Sequence, residues 1–171
     1  GYTSIVGSKR VKKSSLFIEA IGSVDELNAF LGLVNCYLPD KQKIILTNIQ
    51  NDLFDLGADL ATPINIKKKS LRIHKSQTLN IEKEINKINT TLKPLKSFIL
   101  PGGNKLSSMI HLARTISRRC EVNIVKLHQK HKVNLEILKY INRLSDFLFV
   151  LARHNNKNEL LWKPLKNLKE I

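Results

Sequence analysis

His111-Leu112-Ala113-Arg114-Thr115-Ile116-Ser117-Arg118-Arg119-Cys120-Glu121 makes sense in one secondary structure only. Around it Leu106, Met109, Ala113, Ile116, Cys120, Ile124 and Leu127 recur at intervals of three and four, which predicts a long helix with one face in a core. Arg114, Arg118 and Glu121 stand at i, i+4 and i+7 on a second face, and His111 precedes Arg114 by one turn on the same side. Asn104 is a good N-cap, so the helix is expected from there to Lys130. Placing guanidinium groups in a segment this apolar is costly unless negative charge meets them. An anionic ligand is the natural candidate.

The pattern repeats downstream. A helix from Asn134 to about Arg153 carries Ile137, Leu138, Ile141, Leu144, Leu148 and Leu151, with Asn142 and Asp146 at i and i+4 and Arg153 further along. Two such polar faces set together make a seam in a bundle, where ligand sites are often built. A solvated charged stripe is the plainer alternative, and on pattern alone the two stand level. Upstream, Leu95, Phe98, Ile99 and Leu100 make the loop Lys93 to Gly103 unusually apolar. Such a loop either packs under something or touches a ligand.

Further helices are expected over about Thr78 to Leu92, over Lys41 to Leu60, and from Ser23 to Leu38. Ser23 and Glu26 match a capping box, and Pro39 is the stop. Ile64 to Lys75 is polar and lysine-rich, a candidate mobile connection. Residues 1–20 show no helical period and read as a loop or short extended segment. Gly1, Thr3, Ser4, Gly7 and Ser8, with Lys9, Arg10, Lys12 and Lys13, could offer backbone N–H groups and charge to phosphates. The spacing matches neither a Walker loop nor a Rossmann fingerprint. Short connections between long amphipathic helices predict an all-α, up-and-down bundle of about five helices. One domain is expected over 1–154, with an N-terminal loop over 1–21 and a basic tail, including Trp162, over 155–171.

At 171 residues and 42% hydrophobic content the chain can bury a core. Its net charge of +15 suggests nucleic acid, but the lysines are scattered and no aromatic platform or DNA-reading motif interleaves with them. Solvated faces and some steering of a polyanion fit better, and no nucleic-acid partner is expected. No apolar run approaches the roughly 18 residues of a membrane span, and no signal-peptide pattern is visible from Gly1 onward, so a cytoplasmic protein is expected. Cys36 and Cys120 fall within apolar helical patterns and read as two buried free thiols. No zinc spacing occurs. Asp25 reads first as a favourable charge at a helix N-terminus, and His111 as a hydrogen-bonded core histidine.

Five blocks, in order, then make the chain resemble a known family. They are Gly22 to Gly32 (Gly-Ser-Val-Asp-Glu-Leu-Asn-Ala-Phe-Leu-Gly), Gln50 to Pro63, Phe98 to Gly103, His111 to Glu121 and Tyr140 to Arg153. The resemblance is to the PduO-type ATP:cob(I)alamin adenosyltransferases, whose human member acts in mitochondrial B12 metabolism. It implies a ferritin-like bundle assembled as a homotrimer, with sites between subunits. It also implies transfer of the 5′-deoxyadenosyl group of ATP to cob(I)alamin with release of triphosphate. By that likeness Arg118, Glu121 and Asn142 hold ATP, and Lys13 with Gly1, Thr3 and Ser4 surrounds the phosphates. Asp25 and Arg114 form an intersubunit ion pair on the corrin side, Phe98 closes the face under cobalt, and Asp146 and Arg119 support the seam.

The implied chemistry asks little of the protein beyond position and electrostatics, because cob(I)alamin is itself a strong nucleophile. Arg, Lys and Mg²⁺ arriving with the phosphates would stabilise the triphosphate. An apolar wedge at Phe98 would keep water and the benzimidazole from the lower axial position of cobalt. A cob(II)alamin reductase and an adenosylcobalamin-dependent enzyme are the implied partners, and a mitochondrial matrix location applies if the source is eukaryotic. Two departures stand out. The family's nucleotide loop begins Thr-x-Thr-Gly-Asp-x-Gly and this chain opens at what looks like its last glycine, so either that segment is left out or phosphate binding is impaired. Val122 follows Glu121 where the family usually has arginine. They motivate the alternative of a non-catalytic cobalamin carrier with the same fold.

Overall fold

A computed structural model of the chain describes residues 1–6, 10–66 and 70–163. Gly7, Ser8, Lys9, the Lys67-Lys68-Lys69 run and residues 164–171 lie outside them. A short antiparallel hairpin, β1 (Tyr2–Ser4) and β2 (Arg10–Lys12), pairs Tyr2 with Lys12 and precedes five helices. These are α1 (Leu16–Asn35), α2 (Asp40–Leu60), α3 (Lys75–Asn89), α4 (Lys105–Lys130) and α5 (Leu135–His154). α4 packs on both α1 and α5, while α2 lies on α1 and α3 on α5. Leu27 and Leu31, Leu53 and Leu56, Ile81, Ile110 and Ile124, and Tyr140 and Leu148 bring all five helices into one core.

Both expected asparagine caps are present. Asn104 accepts the Ser107 N–H at 2.9 Å, and Asn134 accepts that of Glu136 at 3.1 Å. The first helix is the main correction. It starts at Leu16 rather than Ser23, so the N-terminal loop gives way to helix well before residue 21. Ser23 is buried mid-helix, its hydroxyl donating to the Ala20 carbonyl at 2.7 Å. The buried stripe Ala20, Val24, Leu27, Leu31 and Val34 runs straight through Gly22-Ser23, and burial outweighs the local capping signal. α3 is likewise displaced, from Lys75 to Asn89, because Gln77 Oε1 accepts the His74 N–H at 2.8 Å and starts the helix earlier.

The connection after α2 is also more constrained than its composition suggests. Asp59, its carboxylate fully enclosed, pairs with Arg72 and accepts from the Ile73 N–H and Asn134 Nδ2, each at 2.8 Å. Asn134 Nδ2 also reaches the Ile73 carbonyl at 2.8 Å, so one aspartate ties the end of α2 to the start of α5. Near mid-bundle the fully buried Tyr140 donates to Asp52 at 3.0 Å, and Gln77 Nε2 donates to the other oxygen at 2.8 Å. The cysteine expectation splits. Cys120 is buried, which pushes its thiol up to about 11, but Cys36 is exposed just past α1.

Removing one partner of a buried ion pair leaves the others desolvated and uncompensated. Asp59→Ala is therefore expected to cost about 3–5 kcal/mol in urea unfolding, as a lower midpoint at unchanged slope. A loss no larger than the roughly 1 kcal/mol of a surface pair would contradict this account.

Candidate active site

The seam anticipated between the last two helices exists. Asn142 on α5 donates through Nδ2 to Glu121 Oε1 on α4 at 2.9 Å, joining two residues twenty-one positions apart. Arg118, one turn before Glu121, is exposed and has no hydrogen-bond or ion-pair partner among the described residues. A further turn back lies Arg114, half-buried, its Nε enclosed and without an acceptor among the described residues. Burial first, and then the charge of Arg118, lower the pKa of Arg114. Even so, a guanidinium remains charged at any pH the protein meets. The seam thus holds cations that the described protomer leaves uncompensated.

Two supporting residues have partners of their own. Asp146 pairs with Arg143 at 2.8 Å, and Arg143 reaches Glu82 on α3 at 3.2 Å, so Asp146 is engaged along its own helix instead of with Arg114 or Arg118. Arg119 pairs with Glu26 on α1. Both members are exposed, and such a pair contributes at most about 1 kcal/mol. Asp25, also on α1, is exposed and has no ion-pair partner among the described residues. A cavity of about 230 Å³ opens beside Asn142, lined by Thr78, Glu82, Lys139 and Arg143. A larger one of about 860 Å³ lies at the Asp59 end of the bundle, against Arg72, His128 and Lys132.

The remaining candidates lie elsewhere in the protomer. Gly1, Thr3, Ser4 and Lys13 belong to the hairpin, which the Lys13 N–H closes by donating to the Gly1 carbonyl at 3.0 Å. Phe98 stands on the loop before α4 and is 78% exposed. That answers the question its loop raised: the ring faces outward, with nothing of the core over it. Fourteen residues of helix separate Asn104, at the foot of this loop, from Arg118, about 21 Å along the axis. One protomer therefore brings Arg118, Glu121 and Asn142 together, and the structure records no contact of Phe98 with any of them.

Sequence reasoning missed what holds the Phe98 loop. Residues 159–162, after α5, return and pair with it, and Trp162 lies edge-on to Phe98 at 6.1 Å. A lone apolar Leu-Leu-Trp triplet in a basic segment was the only trace, too short to show a period. His111 is also corrected in part. It is buried against Phe149, but Nδ1 has no partner among the described residues.

The family model described as cobalamin adenosyltransferase matches residues 1–155. The corrinoid adenosyltransferase of Mycobacterium leprae is 40% identical over 174 residues, covering 96% of this chain and 91% of that protein. That of Mycobacterium tuberculosis is 42% identical over 171 residues, covering 96% and 89%. A solved phenylalanine-to-alanine variant of a PduO-type ATP:corrinoid adenosyltransferase from Lactobacillus reuteri, complexed with cobalamin and ATP, superposes with a TM-score of 0.92. It is 35% identical and covers 96% of this chain and 95% of that one.

Burial and the neighbouring Arg114 charge both lower the His111 pKa from 6.5, outweighing the opposing pull of Glu159. A base whose folded pKa is depressed binds fewer protons folded than unfolded. Its contribution to stability therefore rises with pH between that lowered value and 6.5 and is lost as pH falls through the same window. Imidazole NMR should find His111 neutral at pH 7 with a midpoint below 6.5; a midpoint above it would show that another charge faces the ring. The chain belongs to the cobalamin adenosyltransferase family: it is an enzyme that adenosylates a corrinoid.

Proposed function

We propose that this chain transfers the 5′-deoxyadenosyl group of ATP to cob(I)alamin in sites shared between the protomers of a homotrimer. The observation that carries the reading is the Asn142–Glu121 hydrogen bond, which puts an amide and a carboxylate beside the unpaired Arg118. Arg118 supplies charge to the phosphates, and Asn142 and Glu121 present donor and acceptor atoms to the nucleoside. Lys13 and the backbone of Gly1, Thr3 and Ser4 line the triphosphate, and Arg119 and Asp146 hold the helices that frame it. Arg114 takes its counter-charge from Asp25 of a neighbouring protomer. In favour of this, Asp25 has no ionic partner among the described residues and the Arg114 guanidinium is partly desolvated.

The reaction balances without a general base. The Co(I) electron pair attacks C5′ of ATP and becomes the Co–C bond, the C5′–O bond breaks with its own electron pair leaving on triphosphate, and cobalt becomes formally Co(III). Phe98 forms the dry face under cobalt, and its exposure suits a ring that waits for a large apolar partner. Among the described residues no group of three or more His, Cys, Asp or Glu could hold a metal ion. Mg²⁺ would arrive carried on the phosphates, where it would neutralise leaving-group charge. Electrons come from a cob(II)alamin reductase, the product passes to an adenosylcobalamin-dependent enzyme, and the setting is cytoplasmic. No described helix is long and apolar enough to cross a membrane.

Purified protein supplied with ATP, Mg²⁺, cobalamin and a strong reductant should convert the cob(I)alamin spectrum to that of adenosylcobalamin. A carrier would bind cobalamin in calorimetry, ignore ATP and leave the spectrum unchanged. Within the enzyme the two halves of the site should separate. Arg118→Ala weakens ATP binding by about tenfold or more, the worth of a charge-assisted hydrogen bond. Phe98→Ala lowers turnover strongly and leaves ATP affinity at the wild-type value. Equal losses of ATP affinity in both variants would overturn these assignments.

A further inference from the structure

The chain does not leave the bundle after α5. Arg153, only 7% exposed, grips Glu159 with two nitrogens at 2.7 and 3.3 Å and donates to the Lys93 carbonyl at 2.8 Å. One guanidinium so joins the start of the Phe98 loop to the segment that returns beside it. At the loop's other end Asn104 donates to the Asn155 carbonyl, and Asn155 reaches Gln42 on α2 at 2.9 Å. Gly103 has a φ of +103°, which side-chain-bearing residues rarely adopt, and a Cβ there would push aside the end of the Asn156 side chain, so the loop and the returning segment meet at close quarters.

Between these anchors the segments form a two-stranded ribbon. Leu100 donates to the Leu160 carbonyl at 2.8 Å, Trp162 to the Phe98 carbonyl at 2.7 Å, and Ile99 stands opposite Leu161. The Ser97 hydroxyl adds a bond to the Trp162 carbonyl at 3.2 Å. The Trp162 ring then meets Phe98 edge-on, at 6.1 Å and 69°. Phe98 touches nothing of the core, so this ribbon and this ring fix its direction.

We infer that the returning segment is a strap that aims Phe98: Trp162 is a positioning residue for the corrinoid face, and the Arg153–Glu159 pair is its anchor. The inference rests on the reading of Phe98 as the residue under cobalt. A wall that must exclude an axial ligand has to stay in place, and a shift of an ångström can cost about a hundredfold in rate. An aromatic on a free loop would not meet that demand.

The test uses the full chain with Trp162→Ala, Trp162→Phe, Glu159→Gln and, as control, Phe98→Ala. Turnover is measured against cobalamin and against ATP. The bound cob(II)alamin is followed by electron paramagnetic resonance, where a benzimidazole nitrogen below cobalt splits the lines. Trp162→Ala and Glu159→Gln should lower kcat/KM for cobalamin by roughly tenfold or more, raise the nitrogen-split fraction and leave the ATP KM unchanged. Trp162→Phe should recover most of both. Wild-type kinetics and spectrum in Trp162→Ala and Glu159→Gln, with Phe98→Ala altered, overturn the strap and leave the role of Phe98 intact. Equal loss on the ATP and cobalamin sides overturns it too, since that marks general destabilisation. If Phe98→Ala also behaves as wild type, the reading of Phe98 fails and the strap falls with it. Should Trp162→Ala not fold, Glu159→Gln decides alone.

Discussion

A guanidinium cannot relieve its own burial by losing a proton, and α4 carries one in that position. Arg114 is partly enclosed, its Nε has no acceptor among the described residues, and Arg118 adds a like charge one turn away. Aspartates in the same molecule are treated otherwise: buried Asp59 has an ionic partner and two hydrogen-bond donors, and half-buried Asp52 is bonded by Tyr140 and Gln77. These two carboxylates are compensated inside the protomer, whereas positive charge on one face of α4 has no counter-charge among the described residues. Charge left open in this way favours whatever anion or carboxylate can reach it, and that is the origin of both binding and assembly in the proposed enzyme.

Helix geometry then divides the labour. The nucleotide residues sit midway along α4, and the aromatic wall sits before its first turn. A stiff helix places Asn104, at the foot of the Phe98 loop, about 21 Å along the axis from Arg118. The corrinoid and the adenosyl carbon must nevertheless come within bonding distance. In the proposed homotrimer, juxtaposing one protomer's wall with another's seam meets this need without bending any helix, and it gives Asp25 and Arg114, unpaired among the described residues, a use. Rigidity inside the protomer and openness at its faces are two sides of one design.

How much of this was legible follows the range of each interaction. The long helices announce themselves because their stripes repeat over many turns, and Asn104 and Asn134 cap them through bonds only two or three residues long. The face shared by Arg118 and Glu121 is legible for the same reason, since helical spacing fixes it within one helix. The meeting of Asn142 with Glu121 is a packing contact that the pattern left level with a solvated stripe. Ser23 misled because a capping box is a local signal, and the stripe from Ala20 to Val34 overrides it by burying the whole turn. The Asp59 hub and the Phe98–Trp162 ribbon were illegible. Each joins residues more than ten positions apart through single bonds that leave no period in the sequence. Gly1, Thr3, Ser4 and Lys13 occupy an intermediate place: their chemistry suits phosphate, but only the closed hairpin brings Gly1 to Lys13.

Carrier and enzyme make different demands on such a scaffold, and the α4–α5 seam separates them. Holding a corrinoid needs an apolar wall, which Phe98 and its ribbon provide on their own. It does not need Arg118 without a counter-charge, or Glu121 held by an amide from the next helix. Arg114 and Arg118, like charges at i and i+4, repel and lower the stability of the free protein. In the proposed enzyme that cost is offset when Asp25 of a neighbouring protomer meets Arg114 and a polyanion binds at Arg118. Triphosphate gains charge as the C5′–O bond breaks, so cations fixed in advance act more strongly on the transition state than on bound ATP. In the proposed enzyme such a seam serves catalysis, because charge set in place before ATP arrives is used as the leaving group departs; storage alone makes no use of it.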